Sequence, residues 1–157
     1  MPTAQTAHFG AVAYTEDSTL VFPAGLPAFE QERSFLLLRP PEYEPLCILQ
    51  SLATPPLAFL AIAVRHIAMH FRADLDDEAA ELLGGPAPES EFDLLALVTV
   101  GGGGEVSANL RAPIVVHKPT RRAVQCIQSD PAYSCRHPLG GQPPGWEAPS
   151  GQEPSCW

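Results

Sequence analysis

The chain has 157 residues, with nine Lys and Arg against eighteen Asp and Glu and a formal net charge of −9 at pH 7. Its 45% apolar and 17% charged content is that of a folded domain rather than a disordered one, and its charge opposes direct binding to a phosphate backbone, which needs several cationic contacts. No run approaches the ~20 apolar residues of a membrane span, and no basic region precedes an apolar stretch at the N-terminus, so a cytoplasmic protein is expected, with Cys47, Cys126, Cys135 and Cys156 as reduced thiols.

In chain order, short apolar runs lie at 9–14, 19–22, 34–39, 46–51, 57–64, 92–100, 106–116 and 123–128. Most have strand length and are bounded by Pro, Gly, Asp or Ser. The run Leu94–Val100 is apolar throughout, which predicts a strand covered on both faces. Residues 123–128 alternate instead, as a sheet with two different faces requires. A single helix is expected between 74 and 85. Asp74 can cap it, Asp76, Asp77 and Glu78 suit the positive end of its dipole, and Gly84-Gly85 stops it. Leu75, Ala79, Leu82 and Leu83 give it one apolar face. The 18 prolines and 12 glycines fall between the runs or at the C-terminus. The resulting expectation is a mainly β protein: a small antiparallel β-barrel-like fold of about eight short strands with one short acidic helix. Residues 1–139 form the domain, and 140–157, rich in Pro and Gly and holding Trp146 and Trp157, read as a disordered tail.

The segment Ser107–His117 is the most distinctive in the chain. Pro113 has no backbone N–H, so it belongs on an edge, at a strand start or at a bulge. Asn109 and Arg111 beside it are costly if buried unpaired, so each is expected to satisfy local backbone, a carboxylate or a partner.

Other motifs point away from catalysis. Gly101–Gly104 lacks the following Lys-Ser/Thr of a phosphate loop and reads as a hairpin connection. His66 and His70 have the i, i+4 spacing of a shared metal, but no glutamate of the metalloprotease pattern lies between them. No Cys-x-x-Cys pair brings Cys126, Cys135 or His137 to such a site. No Gly-x-Ser-x-Gly elbow is present. Neither a cofactor nor an enzymatic activity is expected. A small-ligand or zinc-binding barrel, with His66, His70, His117 and Cys126 at one mouth, stands as the alternative.

Four blocks in order resemble the flagellar assembly factor FliW family. They are Phe22-Pro-Ala-Gly-Leu-Pro-Ala-Phe-Glu30 with Phe35–Leu38, Leu49-Gln-Ser-Leu52 with Leu57–Phe59, Ala108-Asn-Leu-Arg-Ala-Pro-Ile-Val-Val116, and Tyr133 with Arg136-His-Pro-Leu139. Ala28 stands where the family usually has Gly, Arg65-His66 replaces a polar-Pro pair, and His117 replaces Asn. The resemblance implies a cytoplasmic, non-enzymatic protein that binds flagellin and the RNA-binding translational regulator CsrA. Such a protein relieves repression of flagellin mRNA until accumulating flagellin captures it. A general export chaperone is a further alternative. Candidate partner contacts are Asn109, Arg111, Arg136, His137, Asp74, Asp76 and Asp77, the acidic ones facing a basic regulator.

Overall fold

The computed structural model describes residues 2–140. Eleven strands follow in order: β1 (Thr3–Thr6), β2 (Gly10–Ala13), β3 (Thr19–Val21), β4 (Ser34–Leu38), β5 (Leu46–Ser51), β6 (Ala58–Ala63), β7 (Phe92–Val100), β8 (Val106–Ala108), β9 (Ile114–His117), β10 (Arg122–Gln125) and β11 (His137–Gly140). Helix α1 (Asp77–Leu82) lies between β6 and β7. β1 and β2 form a separate hairpin. The expected mainly β architecture with one short acidic helix is therefore present, with more and shorter strands than eight. Of the three additional ones, β1 and β11 are polar or proline-containing segments that a search for apolar runs passes over, and the third arises because the run 106–116 forms both β8 and β9.

The large sheet closes on itself. Strands pair in the order β7-β6-β5-β4-β3-β10-β9, and β9 returns to pair with β7. Every pairing is antiparallel except β3 with β10, where Arg122 lies opposite Val21 in parallel. Closure removes the edges that would otherwise template aggregation.

Side chains alternate between the interior and an outer layer, as the two-residue period of a strand demands. Cys47 and Leu49 of β5, Phe59 and Ala61 of β6, and Leu95 and Leu97 of β7 join Phe22, Phe35 and Ile114 in the interior cluster. Their neighbours Ile48, Leu60, Ala96 and Val98 face a second cluster, covered from outside by Phe9, Tyr43, Phe71, Tyr133 and Leu139. This explains why Leu94–Val100 carries no polar face.

One end of the barrel is plugged. The loop after β3 inserts Phe22 and Leu26, and edge-to-face pairs Phe22–Phe35 (5.3 Å) and Phe29–Phe59 (5.5 Å) fill that end. The Leu-Gln-Ser block secures the same end. Gln50 Nε2 donates to the carbonyls of Ser51, Pro55 and Leu57. Ser51 Oγ accepts the N–H groups of Ala53 and Thr54 and donates to Glu32. These bonds hold the turn after β5, although Gln50 Oε1 is buried without a partner among the described residues.

Candidate functional site

The run expected as one strand over 106–116 is two, β8 and β9, which continue along the same side of β7. Val98 pairs with Ala108 and Leu95 pairs with Ile114. Two residues of β7, Ala96 and Leu97, thus face five on the other side, 109–113, so the chain bulges outward. Pro113 ends the bulge immediately before β9, a position that requires no donor from it.

Asn109 organises this bulge. Its N–H still donates to Leu97 O (2.9 Å), while its buried Oδ1 accepts the N–H groups of Arg111 (3.0 Å) and Ala112 (3.1 Å). An Asn side chain suits this task because it accepts two residues ahead, as in an Asx turn. Arg111 joins the bulge through its backbone. Its carbonyl accepts the N–H of Gln128 (2.6 Å), but its side-chain Nε is buried with no hydrogen-bond partner among the described residues.

The C-terminal block lies over the same bulge. Leu110 N–H donates to Ser134 O (2.9 Å), His137 pairs with Ala108, and the Tyr133 ring sits 4.3 Å from that of Phe71. A cleft of about 370 Å³ opens between them, lined by Asn109, Arg136, Glu105 and Ser107. Arg136 is exposed there. The structure therefore brings Asn109 and Arg136 to the lining of one cleft, with His137 paired beside it to Ala108, while Arg111 turns its backbone toward Gln128.

Asp74, Asp76 and Asp77 lie on the outer layer beside β9 and β10, and Gln128 links Asp74 to Arg111 of the bulge. Ala79 and Leu83 of this segment pack with Val115, Val124 and Cys126. The cap is Asp76 rather than Asp74: Asp76 Oδ1 accepts Ala79 N–H at 2.7 Å. Asp74 is held out of the helix by Gln128, whose amide accepts Asp74 N–H (2.8 Å) and donates to Asp74 O (3.3 Å). Gly84 and Gly85 end the helix with φ of +105° and +109°. Asp74, Asp76, Asp77, Glu78 and Glu81 are all exposed, and a groove of about 580 Å³ beside Asp74 is floored by Leu75, Phe92, Leu94 and Val115.

The sequence reading gives Gln128 no role and offers His117 only as a family departure and a possible ligand at a barrel mouth. Gln128, fully buried, ties the α1 lead-in to the bulge through both its amide and its backbone. His117 is buried between Glu91 (Nε2 to Oε1, 2.9 Å) and Thr120 (Nδ1 to Oγ1, 2.7 Å). Thr120 is a local partner of His117 in the β9–β10 turn, but Glu91, Asp74 and Arg111 reach these two residues only through the tertiary fold.

Among the described residues, no three His, Cys, Asp or Glu gather where a metal would sit. Cys47 and Cys126 are free and buried. Burial pushes both thiols up to about 11, with the Asp76 carboxylate adding to the effect at Cys126 and Arg39 opposing it at Cys47. Cys135, expected as a reduced thiol, is disulfide-bonded; an argument from compartment sees no distances. Of the expected tail 140–157, Gly140 ends β11, and 141–157, with Trp146 and Trp157, lie outside the described residues.

The model of the FliW protein family matches residues 3–139. The chain belongs to the FliW family. Among curated FliW proteins, the flagellar assembly factor of Bacillus licheniformis is 35% identical over 139 residues, covering 88% of this chain and 96% of that protein. That of Bacillus subtilis is 31% identical over 138 residues, covering 87% and 96%. That of Geobacter sulfurreducens is 31% identical over 145 residues, covering 92% and 90%. A crystal structure of the flagellar assembly factor FliW superposes with a TM-score of 0.75 at 32% identity, over 87% of this chain and 96% of that one. The FliW match runs through both clusters of candidate residues, the bulge with the C-terminal block and the acidic helix. No helix among the described residues is long and apolar enough to cross a membrane.

Proposed function

We propose that this protein is a cytoplasmic, non-enzymatic flagellar assembly factor that binds flagellin and the translational regulator CsrA, antagonising CsrA so that flagellin synthesis follows filament assembly. The observation that carries the reading is the match to flagellar assembly factors across the whole barrel. Surface chemistry supports it. The exposed carboxylates of α1, on a chain of net charge −9, suit a basic RNA-binding protein and would steer its approach. The bulge surface, with an Arg111 guanidinium whose Nε lacks an internal partner, suits a second contact. Mutual exclusion of the two partners is all that switching needs.

The test is capture of purified flagellin and purified CsrA by this protein, separately and then in competition. Each should bind, and flagellin should displace CsrA. Charge reversal at Asp77 should weaken CsrA capture and make its remaining loss with salt shallower. Arg111→Ala, if folded but unable to bind, places the bulge in an interface. Binding of neither partner at micromolar concentration overturns the proposal. Equal capture of unrelated unfolded exported proteins would make it a general chaperone instead.

A further inference from the structure

We propose that the open end of the barrel is a binding site for a small oxyanion, a phosphate- or carboxylate-bearing molecule of metabolite size. The end opposite the phenylalanine plug is a cleft of about 480 Å³, within the ~300–1,000 Å³ usual for small-ligand sites, which favour barrel mouths. Its floor is the interior of the barrel: Leu37, Cys47, Ala63, Leu95 and Val116 all line it. Its rim is made where strands end or begin. β4 delivers Arg39, the turn after β6 delivers Arg65 and His66, and the β9–β10 turn delivers Arg121.

The charge at this rim runs against that of the molecule. Three of the nine Lys and Arg residues line the cleft, against two of the eighteen Asp and Glu residues, Glu44 and Asp93. An arginine is thus found there at one third of the chain's cationic total and a carboxylate at one ninth of its acidic total. A concave site with a low-dielectric floor concentrates the field of such a rim. The guanidiniums are little used internally. Arg65 stands 3.9 Å from Asp93, at the limit of an ion pair, and no hydrogen bond of Arg39 occurs among the described residues.

Arg121 supplies an independent observation. It adopts φ of +60°, a left-handed conformation that glycine or asparagine takes with least strain. Its N–H closes the turn onto His117 O (2.8 Å), as any residue's would, so the turn itself gives no reason for arginine. The side chain instead reaches back to Thr19 O through Nε (3.1 Å), which leaves both terminal amino groups of the fork available at the cleft. That fork matches a planar carboxylate or a phosphate in two-point contact. Strained residues cluster at ligand sites, and Arg121, unlike Ala28, lines a cleft.

This site does not rest on the flagellar reading, and either can fail alone. The test is an NMR titration of the full chain at low ionic strength with inorganic pyrophosphate and, separately, citrate, using glycerol as a neutral probe. Saturable shifts are expected around residues 37–47, 63–66, 93–95 and 116–121 with one anion or both, the more tightly bound identifying the phosphate or carboxylate source. Arg121→Gly, which relieves the backbone, and Arg39→Gln, at an exposed position, should each weaken binding by about tenfold. Arg33→Gln, at the plugged end, should not. Shifts that fail to saturate, that glycerol reproduces, or that persist unchanged in both Arg121→Gly and Arg39→Gln overturn the proposal.

Discussion

At the scale of single residues, two positions in the loop after β3 show how backbone conformation constrains side-chain choice. Gly25 has φ of +68°, and a Cβ there would lie 2.5 Å from Glu30 O, so only glycine fits. Ala28 has φ of +70° without being glycine, and it stands where the resemblance places a glycine. The left-handed region costs an L-residue roughly 1–2 kcal/mol, offset in part by the extra chain entropy of glycine. Ala28→Gly should therefore stabilise the protein by about 0.5–1 kcal/mol, read as a higher midpoint in urea unfolding with an unchanged slope. The departure was visible in the sequence, but its meaning as strain required the dihedral angle.

Among the elements, the bulge and the helix are each secured by a side-chain acceptor, and the two differ in what surrounds them. Asn109 Oδ1 serves two N–H groups in a buried setting, one of them at the fully buried Ala112. Asn109→Ala should cost about 2–3 kcal/mol, whereas Asn109→Asp keeps the acceptor and should retain more of the stability. Asp76 serves a single N–H at the exposed start of a two-turn helix, so Asp76→Ala should cost about 1 kcal/mol. Asp74→Ala should fall within about 0.5 kcal/mol of the parent, because Gln128 holds Asp74 through its backbone. Urea unfolding of the four variants separates these cases. A larger effect at Asp74 than at Asp76 would contradict the capping assignment. Acidic residues at 74–78 marked the helix start to within a turn. Choosing among them depended on Gln128, 54 residues away.

For the whole molecule, closure of the sheet makes global stability sensitive to alkali. Cys47 lies in the interior cluster and Cys126 in the cluster under α1, and both hold their protons up to about pH 11, against 9.0 for an ordinary thiol. In the unfolded chain they ionise near 9, so the folded state binds more protons between these values. The stabilising contribution is complete below pH 9 and is lost as pH rises through 11. Thermal unfolding followed from pH 8 to 11 should show a falling midpoint. Alkylation by iodoacetamide at pH 8 should be slow at both thiols and become fast only in denaturant. Rapid labelling of the native protein would contradict the burial of the two thiols.

Local chemistry placed most of the strands and turns, missing β1, β11 and the division of 106–116. Alternation, the apolar run at 94–100, the Gly101–Gly104 connection and the break forced by Pro113 all arise from neighbours in the chain, and so did the blocks that resemble FliW. The tertiary structure decided what depends on distance. It divided 106–116 across a five-residue bulge, joined β9 back to β7, and gathered the bulge and C-terminal block onto one surface. It also set three arginines from separate turns around one mouth. Closure is the physical reason: a strand's side chains are assigned to a face by local period, but their companions on that face are chosen by the register of strands far away in sequence.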